Sequence, residues 1–282
     1  MNAADAHQEI SRIDALAEHR SMPFLPGRMM KWRSFGNGEP VVLVHGGHGS
    51  WLHWIRNVEA LARTHRVLVP DLPGFGESHD LPPESGLPAL VDAFIASLDS
   101  LLGGRPAIDL VAFSFGAPVS ARVAAKRGAV RRLAFLGAAR TGTPTRSRAA
   151  LIRWRKADSA AQEAAFRHNL LAHMLYDEAS VNALAFEVYV KSILATRFHS
   201  RGTTGNSTLA EMLTPYTEPA LFIWGEHDVT ATPDAAAETL LRDKPNRHYR
   251  LLPNGGHWIQ FEQADAVNAE LARWVGGGGA SQ

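Results

Sequence analysis

The 282-residue chain contains no cysteine, which excludes disulfides, thiolate metal sites and a cysteine nucleophile. Its hydrophobic fraction of 45% and charged fraction of 20% are typical of a globular protein with a large core. The formal net charge of +1 gives no general attraction to nucleic acid or to an anionic membrane surface.

Both ends of the sequence carry a simple pattern. Residues 1–22 are predicted to form a helical segment, because Ile10, Ile13 and Leu16 recur at helical spacing. The acidic residues of this segment and its lack of an apolar stretch exclude a secretory signal peptide. Residues 276–282 are rich in glycine and are expected to form a flexible tail. No apolar run in the sequence is long enough to cross a bilayer.

Short apolar runs along the chain predict strands. These runs are Val41–Val44, Val67–Val69, Ile108–Phe113, Leu133–Leu136, Leu221–Trp224 and Tyr249–Leu252. Helical patterns lie between most of them, at Val58–Ala62, Leu87–Leu102, Ala117–Lys126 and Asp234–Leu241. Apolar strands that alternate with helices are typical of a mostly parallel, doubly wound α/β sheet that is covered on both faces.

The alternation stops between residues 140 and 216. Three helices are predicted there, at Ala149–Ala157, Glu163–Met174 and Val181–Leu194. A helical insertion between two parallel strands is expected to form a cap over the strand ends, where open α/β sheets bind ligands. The expected division is a core of residues 1–139 and 217–275, with a cap of residues 140–216.

The first part of this insertion is rich in basic side chains. They are Arg140, Arg146, Arg148, Arg153, Arg155 and Lys156. Recruitment of an anionic substrate is one interpretation of the cluster, but a solvated helix face is the favoured one.

The sequence VAFSFGA, residues 111–117, places Ser114 between a predicted strand and a predicted helix. A serine at this junction is typical of the nucleophile elbow, where close packing requires small residues two positions before and after the nucleophile. Gly116 fits this pattern, and Ala112 adds one methyl group where glycine is usual. Serine is also a preferred helix N-cap, so the motif alone does not identify a nucleophile. A catalytic role requires a base, an acid and an oxyanion hole elsewhere in the chain.

Three further motifs follow predicted strands and could supply those partners. A His-Gly-Gly sequence that ends at Gly47 lets backbone N–H groups face a ligand. Asp228 lies a few residues after a predicted strand, and His257 lies directly after a Gly-Gly turn. Taken separately, each motif could be a turn, a cap or an ordinary core residue. The order Ser114, Asp228, His257 nevertheless has a nucleophile, an acid and a base each placed after a strand.

The segments VLVHGG, VLVPDLPGFGES, AFSFGA, WGEHD and NGGHW together resemble the α/β-hydrolase superfamily, from about residue 29 to residue 275. Two longer segments, HGGHGSW and GGHWIQFEQADAVNAEL, are similar to the branch of meta-cleavage-product hydrolases and small carboxylesterases. The resemblance implies a core sheet with a helical cap inserted before the acid-bearing strand. It implies no metal and no organic cofactor. Ser114, His257 and Asp228 would be the catalytic nucleophile, base and acid.

The remaining site residues follow from this assignment. The oxyanion hole is predicted at the backbone N–H groups of Gly47 and Phe115. Trp258 and Phe113 are predicted to contact the substrate. The expected activity is hydrolysis of a small-molecule carboxylic ester through an acyl-enzyme.

Two alternatives remain open. A carbon–carbon bond hydrolase of meta-cleavage dienoates would carry asparagine before the nucleophile, where this chain has Phe113, and a cap arginine that no residue here matches firmly. A non-catalytic or slow-turnover ligand receptor could use the same fold. We expect a small-molecule substrate, no nucleic-acid or membrane partner and a cytoplasmic location. The oligomeric state stays open, with a homodimer as one option.

Overall fold

An eight-stranded sheet organises the chain in this computed structural model, which describes residues 2–198 and 206–277. In chain order the strands are β1 (Glu18–Leu25), β2 (Arg28–Phe35), β3 (Pro40–Val44), β4 (Arg66–Pro70), β5 (Ile108–Phe113), β6 (Val130–Leu136), β7 (Ala220–Gly225) and β8 (Arg247–Leu252). In space their order is β1-β2-β4-β3-β5-β6-β7-β8. Strand β2 runs antiparallel to both of its neighbours, and the other neighbouring pairs are parallel. The prediction of a mostly parallel sheet is confirmed.

Helices cover both faces of this sheet. The α-helices of the described residues are α1 (Ala3–Ala15), α2 (Val58–Ala62), α3 (Leu87–Leu102), α4 (Gly116–Arg127), α5 (Ser159–His173), α6 (Ala183–Leu194), α7 (Leu209–Met212), α8 (Pro233–Leu241), α9 (Ile259–Glu262) and α10 (Ala264–Val275), of which α5 and α6 lie in the segment between β6 and β7. Side chains alternate between the two faces, so Leu110 of β5 enters the core beneath α3 and α4. The next residue, Val111, enters the core beneath α2 and α10. This arrangement is the predicted doubly wound α/β architecture.

The N-terminal region differs from the predicted helical segment over residues 1–22. Helix α1 starts at a capping box between Asn2 and Asp5 and ends at Ala15, so that β1 begins within the predicted helix. Strand β1 lies at the sheet edge and is exposed at most positions, so its sequence lacks the apolar alternation that indicates a strand. The prediction is therefore wrong after Ala15, because pairing with β2 stabilises this segment.

The segment between β6 and β7 contains α5, α6 and α7, and no strand occurs in its described residues. Helix α6 packs against α1, and Ser192 of α6 shares a hydrogen bond of 2.9 Å with Ser50 of the core. Among the described residues, no helix is both long and apolar enough to span a membrane. The tail predicted for residues 276–282 lies outside the described residues from 278 onward.

One helix predicted in this segment, Ala149–Ala157, is absent, and the chain there has no regular secondary structure. The side-chain amide of Asn169 on α5 accepts from the backbone N–H of Ile152 at 2.7 Å and donates to its carbonyl oxygen at 2.9 Å. The backbone N–H and carbonyl groups of Ile152 are therefore bonded to Asn169 and do not form the hydrogen bonds of a helix. The helical periodicity of this stretch is overridden by that contact.

Candidate active site

Ser114 occupies the sharp turn between β5 and α4. Its backbone has φ of +49°, in the left-handed region that costs a non-glycine residue about 1–2 kcal/mol. A Cβ atom at Gly116 would lie 2.8 Å from the carbonyl oxygens of Val44 and His45, so α4 approaches β3 closely. The helix N-cap is Phe115, and it makes no side-chain capping bond. These features favour the nucleophile elbow over the N-cap interpretation of Ser114.

The three side chains predicted to act together form one hydrogen-bonded chain. The distance from Ser114 Oγ to His257 Nε2 is 2.9 Å, and from His257 Nδ1 to Asp228 Oδ2 it is also 2.9 Å. Because Nδ1–H donates to the carboxylate, Nε2 is left with a lone pair that faces the serine hydroxyl. Asp228 and His257 are buried, whereas Ser114 is partly exposed. The geometry is that of a nucleophile, a base and an orienting acid.

Thr230 completes the surroundings of Asp228 and is not among the residues predicted from the sequence. Its hydroxyl and its backbone N–H both donate to Oδ1 of Asp228, at 2.8 and 2.7 Å. Burial by itself raises the pKa of Asp228, but the charge of His257 and hydrogen bonds from His257 and Thr230 hold that pKa below its usual value. The carboxylate therefore stays ionised. A threonine two residues after an aspartate is a known turn pattern and was the available signal.

The two residues of the predicted oxyanion hole lie in the loops after β3 and β5, which approach each other closely, since a Cβ atom at Gly46 would lie 3.1 Å from that of Ser114. Gly47 follows β3, and Phe115 precedes the first turn of α4, where helix N–H groups carry partial positive charge. Within residues 2–198 and 206–277, the backbone N–H groups of Gly47 and Phe115 make no hydrogen bond. His53 supports this region, because its Nδ1 accepts from the backbone N–H of Gly46 at 3.2 Å.

Phe113 and Trp258 both lie beneath the site. The ring of Phe113 is buried and packs against His257, with centroids 4.9 Å apart. Trp258 is fully buried, stacks on Phe261 and donates from Nε1 to the carbonyl oxygen of His53 at 3.1 Å. Each side chain is thus engaged in packing beneath the site. These positions favour a supporting role, and contact with a substrate stays a prediction.

The segment between β6 and β7 contributes a residue that the sequence did not indicate. His173 ends α5, and its ring centroid lies 5.5 Å from that of His257. The chain that follows is fastened to the loop of His257, since Trp258 N–H donates to the carbonyl oxygen of Met174 at 2.6 Å. The carboxylate of Glu262 accepts from the backbone N–H groups of Gly256, Tyr176 and Asp177 at 2.6–3.1 Å.

The basic side chains of the same segment do not form one face. Arg140 donates to the carbonyl oxygen of Ser207, and Arg146 donates to that of Glu226. Arg148 reaches His173, and Arg155 lies over the ring of Trp154 at 4.6 Å. In the described part of the chain, no group of three or more His, Asp and Glu side chains is arranged to hold a metal ion.

Known proteins with similar sequences identify the family. Residues 39–264 match the family described as alpha/beta hydrolase fold. The chain is 30% identical to the dihydrolipoyllysine-residue acetyltransferase component of the acetoin cleaving system of Pseudomonas putida, over 88% of this chain and 67% of that protein. It is 26% identical to 2-hydroxy-6-oxononadienedioate/2-hydroxy-6-oxononatrienedioate hydrolase 1 of Dechloromonas aromatica, over 85% of this chain and 88% of that protein.

A solved structure supports the same assignment at the level of the fold. A thermophilic esterase from Thermogutta terrifontis superimposes with a TM-score of 0.69 at 21% identity, over 94% of this chain and 100% of its own. The eight-stranded sheet, with Ser114, Asp228 and His257 following β5, β7 and β8, agrees with the family match. The chain therefore belongs to the α/β-hydrolase family and is an enzyme of the hydrolase class.

Proposed function

We propose that this enzyme hydrolyses a small-molecule carboxylic ester through an acyl-enzyme formed on Ser114. The observation that carries the proposal is the hydrogen-bonded chain from Ser114 through His257 to Asp228, with both distances at 2.9 Å. In water a serine hydroxyl is a weak nucleophile, and a hydrogen-bonded neutral imidazole that is itself oriented by a carboxylate activates it.

In the first half of the proposed reaction, Ser114 Oγ attacks the ester carbonyl carbon while its proton passes to His257 Nε2. Negative charge develops on the carbonyl oxygen, and the N–H groups of Gly47 and Phe115 would stabilise it. The tetrahedral intermediate then expels the alcohol, which takes the proton from His257. Asp228 stabilises the imidazolium throughout and stays ionised.

In the second half, His257 takes a proton from water, and the resulting hydroxide attacks the acyl carbon. Collapse of this second intermediate breaks the bond to Ser114 Oγ, returns the proton to the serine and releases the carboxylic acid. We include residues 140–216 in the proposal as a cap, because α5 brings His173 beside His257. We further propose that the enzyme is cytoplasmic. The absence of cysteine is compatible with this location.

Carbon–carbon bond cleavage of a dienoate is the alternative, and similarity to the 2-hydroxy-6-oxononadienedioate hydrolase of Dechloromonas aromatica supports it. Phe113 is the observation that favours esters, because a buried aromatic ring stands immediately before the nucleophile and offers no polar group to a dienoate. A dienoate carboxylate without a partner would cost several kcal/mol to desolvate. Arg197 is an unsuitable partner, since its guanidinium donates to Asp80 and to several backbone carbonyls.

Kinetics on one preparation tests the proposal against its alternative. The substrates are 4-nitrophenyl esters of graded acyl length and a ring-cleavage dienoate, and kcat/KM is measured for each. We expect esters with small or medium acyl groups to be cleaved faster than the dienoate. A dienoate that is preferred by an order of magnitude would overturn the ester proposal. Ser114→Ala, purified in the same way, controls for contaminating hydrolases.

A further inference from the structure

His173 lies beside His257, where a ring contact and a backbone hydrogen bond of the next residue hold it. It stands at the end of α5, and the next residue, Met174, accepts the 2.6 Å hydrogen bond from the backbone N–H of Trp258. Its ring faces His257 at an interplanar angle of 38°. The position of this imidazole relative to the reacting groups is therefore fixed by the backbone and by ring packing.

The contact with Arg148 bears on which ring nitrogen of His173 carries the proton. The guanidinium contacts Nδ1 of His173. A guanidinium has only donors and stays charged, so Nδ1 must accept this bond. In a neutral imidazole the proton then sits on Nε2. Burial, followed by the charges of His257 and Arg148, lowers the pKa of His173 to about 3, so the ring is neutral near pH 7.

The resulting Nε2–H donor has no acceptor among the residues that the structure describes. Phe115, which directly follows Ser114, contacts Phe75 and Phe198 with ring centroids 6.3 and 6.1 Å away, so apolar rings lie beside the nucleophile. An unpaired donor distinguishes substrates strongly, because a ligand without an acceptor displaces the water bound to the donor and leaves the donor without a hydrogen bond.

We propose that His173 is a specificity-determining residue whose Nε2–H donates a hydrogen bond to an oxygen atom of the substrate beside the scissile ester. The site would then prefer esters whose acyl chain carries an ether, keto or hydroxyl oxygen over plain alkyl esters. Arg148 acts through His173 as a positioning residue that fixes the tautomer. This inference rests on the proposed ester hydrolysis and names the class of ester.

The test uses pairs of esters of nearly equal size. In each 4-nitrophenyl pair one CH₂ of the acyl chain is replaced by oxygen: butanoate with methoxyacetate, and pentanoate with 3-methoxypropanoate. The oxa-to-alkyl ratio of kcat/KM is compared between wild type and His173→Phe, so that intrinsic ester reactivity cancels. We expect the ratio to fall by about fivefold to tenfold for at least one pair, the loss of one hydrogen bond.

Two further variants separate recognition from structural damage. His173→Gln retains a donor and should recover part of the preference. His168→Phe is the matched control, because His168 lies on the same helix and bonds instead to the carbonyl oxygen of Ala150 at 2.8 Å. Its ratio should equal that of wild type. An equal ratio in wild type and folded His173→Phe for both pairs would overturn the inference, even if all the esters are hydrolysed.

The tautomer can be measured without any substrate. Imidazole ¹⁵N shifts of the free enzyme at pH 7 should show a neutral His173 with its proton on Nε2. In Arg148→Met the share of this tautomer should fall toward that of a free neutral imidazole side chain. A proton on Nδ1, or a charged ring, in the wild-type enzyme would contradict the inference. Because this readout does not depend on turnover, its failure is distinguishable from a failure of the proposed ester hydrolysis.

Discussion

Gly137, at the end of β6, controls where the imidazole of His257 can lie. Its φ is +51°, and a Cβ atom built there would stand 2.9 Å from Nδ1 and 3.0 Å from Cε1 of His257. Ordinary contact begins near 3.4 Å, so Gly137→Ala must displace the ring by about 0.5 Å. A displacement of 1 Å costs on the order of a hundredfold in rate, so we expect kcat to fall about tenfold.

Gly103→Ala is the matched control for this experiment. Gly103 also has a positive φ, of +67°, but a Cβ atom there would meet nothing within 4 Å. Both variants should lose about 1–2 kcal/mol of stability from the left-handed backbone, and only Gly137→Ala should lose activity beyond that. The assay is steady-state hydrolysis of a 4-nitrophenyl ester beside a urea unfolding curve. Equal kcat in the two variants would refute the reasoning.

Three further perturbations have expected outcomes. Thr230→Val removes the hydroxyl bond to buried Asp228 and should cost about 1.5–3 kcal/mol in urea unfolding and about tenfold in kcat; exposed Thr239→Val is the control, and equal losses would count against the assignment. Glu262→Gln places an amide donor against backbone N–H groups and should lower Tm and kcat together. An unchanged Tm would contradict the role of the Glu262 carboxylate in holding the loop of His257. Stability should decline as pH falls from about 6.5 toward 3, by up to about 1.4 kcal/mol per pH unit, because the unfolded chain binds a proton that native His173 does not. Urea unfolding across this range should show a shallower slope in His173→Phe, and an identical slope would argue against a neutral ring.

The sequence predicted strands β5 and β7 because each is buried on both faces and therefore appears as a continuous apolar run. Strand β5 is buried at all six positions and was predicted from Ile108 to Phe113 without error. Strand β1 was missed for the opposite reason, since it is exposed along most of its length and depends on pairing with β2. The absent helix at Ala149–Ala157 shows how a single tertiary contact, from Asn169, overrides a local periodicity.

Some residues of the candidate site could also be predicted from the sequence, and others could not. Ser114, Asp228 and His257 could be proposed from sequence because each lies within a few residues of the end of a strand, and parallel strands bring their carboxyl ends to one edge of the sheet. His173 and Glu262 could not, because their contacts join the segment between β6 and β7 to the loop of His257. No local pattern marks a residue whose importance comes from such a distant contact.

Covalent labelling of Ser114 tests the central claim most directly. The enzyme is treated with a fluorophosphonate, which forms a stable phosphonyl ester with an activated serine, and the labelled peptide is mapped by mass spectrometry. The account predicts one adduct per chain on Ser114, at a rate lowered strongly in His257→Ala, and no adduct in Ser114→Ala. Labelling of a different residue, or an unlabelled Ser114 in enzyme that still hydrolyses esters, would contradict it.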